Sequence, residues 1–565
     1  LIAFTAMIPL AGCGGSSGGP QSPGNTSPEP PQKPINTSLA DLKYSQSFVN
    51  DASTASTTLD LTTKTAISAS SSGSTLTIRY DAGSQGYTVS VDGRSQTFTP
   101  ADISAGSSAS GTETLYQKTD GTNRDYLTLV KVPFTGNEAT QYVGLGFWQR
   151  NVVTDARQDT QYTSFTYGLP TGAAAMPRSG TAAFRIDTFG LVSKPGQEPL
   201  AFQGQGMFSV DFGAGVFSAE TSNTETSLVS GSGIVGGGID LIAAGHLTSG
   251  NQFSGNALYE GQYGSVGGTL DGRFYGPTAQ ELGASFNANG ADGYTVAGSF
   301  TGQRDASATP ANLTLTNMTQ SQLFYTQFTY NMVGQLNWQN AETFTYVPPS
   351  SDLYGGQFTV ADKVVSNDPN FTIYRKTFSN SYDSQEATLQ LYKPGAGNSE
   401  LALTYASFGH WSTNVRFGTG TQPVDDYFAY GLTTPAKLLS GKTGTGRYAG
   451  VLYGTATTAT GRFDVKGSSR FNVDFGKQSY SGALAMAGTP AGAGKVDFGS
   501  FDFAGTLGYS AAADITRDGQ VVGQIRPQFY GPDGEEIAAP FSLQSPENSA
   551  AGYAAITGAT VAKRQ

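Results

Sequence analysis

Gly267–Arg304 reads GGTLDGRFYGPTAQELGASFNANGADGYTVAGSFTGQR, and a worn copy, GQIRPQFYGPDGEEIAAPFSLQSPENSAAGYAAITGATVAKR, occupies Gly523–Arg564. In both, Phe-Tyr-Gly-Pro (Phe274, Tyr275, Gly276, Pro277; Phe529, Tyr530, Gly531, Pro532) is followed by a Glu seven positions after the Phe (Glu281, Glu536) and a second Phe twelve after it (Phe286, Phe541). A Gly-Tyr pair comes next (Gly293-Tyr294, Gly552-Tyr553), and each copy ends near an Arg (Arg304, Arg564). Alternating apolar positions, a Gly-Pro break and a Gly-rich return describe strands and turns, not a helix. Proline lacks the donor a central ladder needs and glycine tolerates the bend, so the Gly-Pro pair ends one strand. A short hairpin is expected from about Gly283 to Gly302, its tip in the Asn/Gly/Ala/Asp run before Gly293.

The duplication extends outward from these two copies. Trp148 and Trp411 stand 263 positions apart, as do the Tyr-Gly-Leu triplets at Tyr167 and Tyr430 and FSVDFG and FNVDFG at Phe208 and Phe471. FTPADI at Phe98 matches FTVADK at Phe358 at an offset of 260, LYQKT at Leu115 matches IYRKT at Ile373 at 258, and the closing motifs stand 255 apart. Offsets that drift without changing order are what loop insertions do to two copies of one fold.

FYGPTAQELGASF followed by a Gly-rich hairpin ending in Gly-Gln-Arg resembles the barrel signature of transferrin-binding protein B type surface lipoproteins, a family with lactoferrin-, haemoglobin- and haem-binding relatives and the factor H binding protein. The resemblance implies an all-β chain of two lobes, each a β-rich handle followed by an eight-stranded antiparallel barrel. The second copy departs from the pattern at Ala539-Pro540, where small glycine-type residues are usual. The expected divisions are 1–12, the end of a lipoprotein signal peptide; 13–37, anchor and tether; 38–135 and 136–306, handle and barrel of the first lobe; 307–398 and 399–565, those of the second. Closing each sheet would remove its exposed edges.

Composition agrees with many short strands. The 565 residues include 74 Gly, 28 Tyr and 33 Phe, with 13% charged, and are too many for one core. A net charge of -11 without basic clusters argues against nucleic acid. LIAFTAMIPLAGC ends in Leu10-Ala11-Gly12-Cys13, which reads as a lipobox; the basic region that opens such a signal is missing, so the sequence is expected to begin within it. The apolar run falls short of the roughly 20 residues a spanning helix needs. Cys13 is the lone cysteine and the expected lipid attachment site, with Gly14, not Asp, after it favouring the outer membrane by analogy with lipoproteins. A Gly/Ser/Pro tether follows to about Pro34, spanning on the order of 25 Å as a coil.

Chemistry finds little material. Gly14-Gly15-Ser16-Ser17-Gly18 fits a nucleophile elbow only on paper, because it lies in the tether. Gly231-Ser232-Gly233-Ile234-Val235-Gly236 lacks a βαβ setting, Gly441-Lys442-Thr443 lacks the first glycine of a phosphate loop, and Arg124 spoils DGTNRD (Asp120–Asp125) as a calcium loop. The two histidines do not recur between lobes. His246 reads as a loop residue and His410 aligns with Phe147, a packing position; haem on a single axial His is the cofactor chemistry they leave open, with no metal site expected. Trp148, Trp411, Tyr167 and Tyr430 read as barrel filling or strand-pair packing, and Asp211 and Asp474 as outward or turn residues. Glu281 and Glu536 read either as pairing with the arginine ending their lobe, Arg304 and Arg564, across the closing strands, or as solvated charges worth little.

By resemblance the chain is a surface-exposed outer-membrane lipoprotein, not an enzyme, that captures a host or environmental protein or solute of the iron or haem carrier kind. It would pass this to a TonB-dependent transporter, with the bilayer as a further partner through acylated Cys13. Contact regions are expected in loops such as Thr221 to Asn251, read as an insertion of the first lobe. The motif marks a scaffold, and a scaffold does not fix its ligand. The alternatives are a structural or interaction lipoprotein without an uptake role, and a transmembrane barrel; strands such as FRIDTFG and GRFDVKG, with charge between their apolar residues, speak against the latter.

Overall fold

The computed structural model describes residues 35–565 apart from 106, 108–111, 131, 133–139, 235–237, 330–331, 351–352, 380–383, 418–419, 460, 491–495, 509–511 and 546–552. Cys13, the signal and tether up to residue 34, the Gly14–Gly18 motif, Val235-Gly236 and Gly552 lie outside the described residues.

Among the described residues the strands form four antiparallel sheets, two to a lobe. The first is the handle of lobe one. Leu76–Asp81 and Gly86–Val91 alternate buried and half-exposed positions, as a sheet with one covered face requires. Val91 hands over to Arg94–Phe98 through Asp92 and Gly93, whose φ values of 50° and 76° suit the tight turn that matches strand twist. Gly86–Val91 thus forms hairpins with both Leu76–Asp81 and Arg94–Phe98. The motif matches also hold locally: after Phe98 and Phe358 the Thr99 and Thr359 N–H groups each donate 2.8 Å to the Asp three residues on, Asp102 and Asp362.

Each barrel is an eight-stranded closed meander. In lobe one the first strand, Thr181–Ser193, pairs with the last, Thr295–Arg304, and the expected closing hairpin is Glu281–Asn289 with Thr295–Arg304. In lobe two Thr445–Thr458 pairs with Ala554–Arg564 in the same way. The Ala539-Pro540 departure does not open the second barrel: the Pro540 carbonyl accepts the Arg526 N–H at 3.0 Å, and Gln520–Ile525 pairs with Glu536–Ser545. Pro527 does break the neighbouring strand, so Gln520–Ile525 and Gln528–Tyr530 together do what Gly264–Tyr275 does alone in lobe one.

Rings fill both interiors. Phe184, Phe202, Phe208, Phe217, Phe253 and Phe274 meet inside the first barrel, with Phe208 stacked on Phe217 at 5.0 Å between centroids. Phe471, Phe501, Phe503 and Phe541 serve the second. Each such ring contributes about 1.5–3 kcal/mol by leaving water. The outside is polar: exposed positions along Val216–Ser227 are Glu220, Ser222, Thr224 and Thr226, with no lipid-facing apolar alternation.

Three sequence expectations need correction. The handles reach further than 135 and 398. Val143–Val153 and Arg157–Gly168 belong to the first handle sheet, because Val49–Asp60 pairs along Arg157–Gly168 through twelve residue pairs; Ala406–Phe417 and Gly420–Gly431 likewise join the second handle. A pairing about a hundred residues distant leaves no trace in local alternation. Trp148, Trp411, Tyr167 and Tyr430 are accordingly buried in the handle cores rather than the barrels. And about half of Thr221 to Asn251 is barrel strand, in Val216–Ser227 and Asp240–Leu247, with His246 near the end of the latter rather than in a loop.

One sign of the duplication went unread. NTSLADLKYSQSF from Asn36 and NLTLTNMTQSQLF from Asn312 stand 276 positions apart. Asn36 donates to the Tyr44 carbonyl (2.7 Å) and Gln46 Oε1 (2.8 Å) and accepts from the Lys43 and Tyr44 N–H groups. Asn312 repeats the set with Gln320, Gln322 and Thr319. Both lobes open on this asparagine plug.

Candidate functional site

The signature residues sit where each handle meets its barrel. Tyr275 ends its strand, and Gly276 turns away with φ 83°, a value that favours glycine. A Cβ there would lie 2.6 Å from the Tyr142 ring. Glu281 then starts the closing hairpin, 4% exposed, and its carboxylate accepts three backbone N–H bonds, from Gln141 and Tyr142 (2.8 Å each) and Val143 (2.9 Å). Those donors are the entry of the handle's last hairpin. Burial pushes the Glu281 carboxyl up against the opposing pull of the three donors.

Lobe two repeats the clamp. Gly531 has φ 88° and stands against the Tyr405 ring, and fully buried Glu536 accepts from Thr404 (2.7 Å), Tyr405 (2.8 Å) and Ala406 (2.9 Å). Thr171 and Thr434 complete the joint, each donating its hydroxyl 2.7 Å to the carbonyl of the motif glycine, Gly276 or Gly531.

The expected pairs with Arg304 and Arg564 are not formed. Glu281 lies opposite Gln303 and Glu536 opposite Lys563, so each arginine, one residue further, faces the other side of the sheet. Arg564 instead contacts Asp533 at 3.1 Å, while Lys563 stands 4.0 Å from Glu536. Phe274 and Phe286 fill the first barrel, Phe529 and Phe541 the second, and Tyr275 and Tyr530 are buried beside the clamps. Pro277 and Pro532 follow the turning glycines outside any strand.

The handles differ around their tryptophans. In lobe one the fully buried Trp148 donates from Nε1 to Asp125 (2.9 Å), Arg150 grips the same carboxylate at 2.8 and 2.9 Å, and the Arg94 guanidinium lies over the ring at 4.7 Å. Asp125 of the rejected calcium motif is thus an ion-pair residue. In lobe two Trp411 is surrounded by rings, Tyr346 at 4.8 Å, and its Nε1 has no acceptor among the described residues.

Both histidines spend Nε2 on carboxylates. His410 is stacked on Tyr427 at 4.1 Å, contacts Asp425 at 2.8 Å, and is pushed down to about 4 by burial and by Arg462. His246 contacts Glu535 of the other lobe at 2.6 Å. Axial ligation of haem through Nε2 does not fit either residue as placed. Asp211 differs from Asp474: both begin turns, but Asp211 is buried and also accepts from Thr314 (3.2 Å) and Asn317 (3.0 Å) of the connection into lobe two.

Further contacts join the lobes. Asn256 donates to Asp533 at 2.7 Å, Lys437 pairs with Glu260, and Leu438 of the short helix Ala436–Ser440 packs on Ala244 and Leu258.

Residues 169–304 match the family model of the C-lobe and N-lobe beta barrels of Tf-binding protein B. The first barrel is of the transferrin-binding protein B type. The second lobe has the same closed meander and the same carboxylate clamp as the first. Among solved structures, the chain is similar to a transferrin binding protein B double mutant from Haemophilus parasuis Hp5 (16% identity over 77% of this chain and 85% of that one, TM-score 0.27). It is also similar to intact Ap-TbpB with its N and C lobes (13%, 91% and 95%, TM-score 0.25) and to isotype 1 transferrin binding protein B from serogroup B Neisseria meningitidis (17%, 77% and 89%, TM-score 0.22). No curated protein matches the chain.

Proposed function

We propose that this protein is a lipid-anchored outer-membrane lipoprotein, displayed at the cell surface, that binds a host carrier protein of the transferrin kind and passes its cargo to a TonB-dependent transporter. The observation that carries the reading is the match of 169–304 to a transferrin-binding protein barrel, in a chain whose second lobe is built the same way. The matched family is one of binding proteins, and rigid barrels with handles suit recognition by loops. The lobe-one handle is the favoured contact face, because hydrogen-bonded Trp148, Asp125 and Arg150 hold the strands around them in one arrangement before any ligand arrives.

Iron-loaded and iron-free transferrins passed over the immobilised full chain should give saturable binding, and protease treatment of intact cells should remove the protein. Absence of binding to either form, with the protein protected in intact cells, overturns the reading and leaves an interaction lipoprotein without uptake as the better one.

A further inference from the structure

In the second handle, the strand Gln322–Gln327 pairs along its whole length with Val333–Asn340, but with Gly420–Gly431 only at Gln327↔Ala429. In the first handle the equivalent ladder carries on, through Asn50↔Tyr167 to Val49↔Gly168. The two strands of lobe two part at Gly431, which turns with φ 151°, whereas Gly168 at the equivalent place in lobe one is not in that region; the next residue bonds alike in both lobes, Leu432 N–H to Tyr405 O (2.9 Å) and Leu169 N–H to Tyr142 O (2.8 Å).

Parity shows which groups face the gap. The Phe328 N–H donates to Met332 across the turn into Val333–Asn340, so the backbones of Leu323 and Tyr325 point to the opposite edge, into the fork. Among the described residues the Leu323 carbonyl meets only the side-chain amide of Gln322, at 3.2 Å, and Tyr325 is 60% exposed. A cavity of about 400 Å³ fills the fork, walled on its far side by Val216, Phe217 and Ser218 of the first barrel and floored by Leu432 and Pro532. Its polar groups are amides and hydroxyls, and no charged side chain lines it among the described residues.

We propose that this fork receives an extended, uncharged peptide segment of a partner protein, which adds as a strand to the outer edge of Gln322–Gln327. An unpaired edge supplies backbone bonds that any extended chain satisfies, while the apolar walls and absence of charge select uncharged side chains. Both lobes build the site, so it exists only in the bilobed chain. The inference stands apart from the transferrin reading, which concerns the lobe-one handle.

The test is calorimetric titration of the full chain with an acetylated, amidated hexapeptide of alternating threonine and valine. One saturable site is expected, weakened at least tenfold by N-methylation of alternate peptide amides. Tyr325→Pro removes a donor facing the fork but none facing Val333–Asn340, and Ser218→Arg puts charge on the opposite wall; each should weaken binding at least tenfold. The second variant decides the matter if the first does not fold. Lack of saturable binding, equal binding of the N-methylated peptide, or indifference to a folded variant overturns the proposal. So does binding that requires removal of residues 1–34, because the chain's own leader would then be the occupant.

Discussion

Glu281 accepts the backbone N–H of Val143 at 2.9 Å, and through that bond and its two neighbours the first barrel holds the entry of the handle's last hairpin. The acceptor belongs to one domain and the three donors to the other. The motif's Gly-Pro turn therefore marks a joint and not an isolated barrel feature.

Replacing Glu281 by Ala strands three backbone donors in a dry site. At about 1–3 kcal/mol for each buried donor left unmade, partly offset by water entering the space, the first lobe should lose about 3 kcal/mol. Glu281→Gln keeps one acceptor oxygen and should cost less. The lobes need not unfold as one, so denaturant titration is read for a separate transition. Glu536→Ala should lower the other transition. A single unfolding step shifted equally by both variants contradicts independent clamps.

Asp125 is 5% exposed at its side chain and serves both Trp148 and Arg150. Asp125→Ala leaves a nearly buried guanidinium and an indole N–H without an acceptor, at a cost of about 3 kcal/mol to lobe one. Trp148→Phe should cost more than Trp411→Phe, because the first loses a bond to Asp125 and the cation over its ring, whereas the second removes an N–H that has no acceptor. Equal losses in thermal unfolding would show that ring packing alone accounts for both tryptophans.

The repeats and the closing hairpin were legible because they are local: Phe274, Gly276 and Phe286 declare strand, break and strand within one short window. The partner of Glu281 was not, since its donors lie about 140 residues earlier and are backbone groups, which carry no letter in a sequence. The expected arginine failed on register, where one residue reverses the face of a side chain. The handle boundary failed for a related reason: a strand's neighbour in the sheet is a fact of topology, and Val143–Val153, buried at six consecutive positions and without alternation, names neither sheet. The Asn36 and Asn312 plugs are legible as a repeat, because their asparagines and the Gln and Phe that follow keep one spacing in both lobes.

The lobe contact should depend on pH through His246, whose ring meets Glu535 at 2.6 Å and is 45% exposed at its side chain. The hydrogen bond to Glu535 is the main cause raising its pKa above the ordinary 6.5; Asp533 adds to it, while burial and Lys442 oppose. A base whose folded pKa is raised binds its proton more tightly in the folded chain. Its contribution is therefore full below pH 6.5 and fades as pH rises through the raised value. Spin labels placed one on each lobe should report a broader distance distribution at about pH 9 than at about pH 6. His246→Gln keeps a donor without the titration and should flatten that difference, leaving the Asn256–Asp533 and Lys437–Glu260 contacts in place. A pH response that persists in the His246→Gln chain would assign the effect to other groups at the junction.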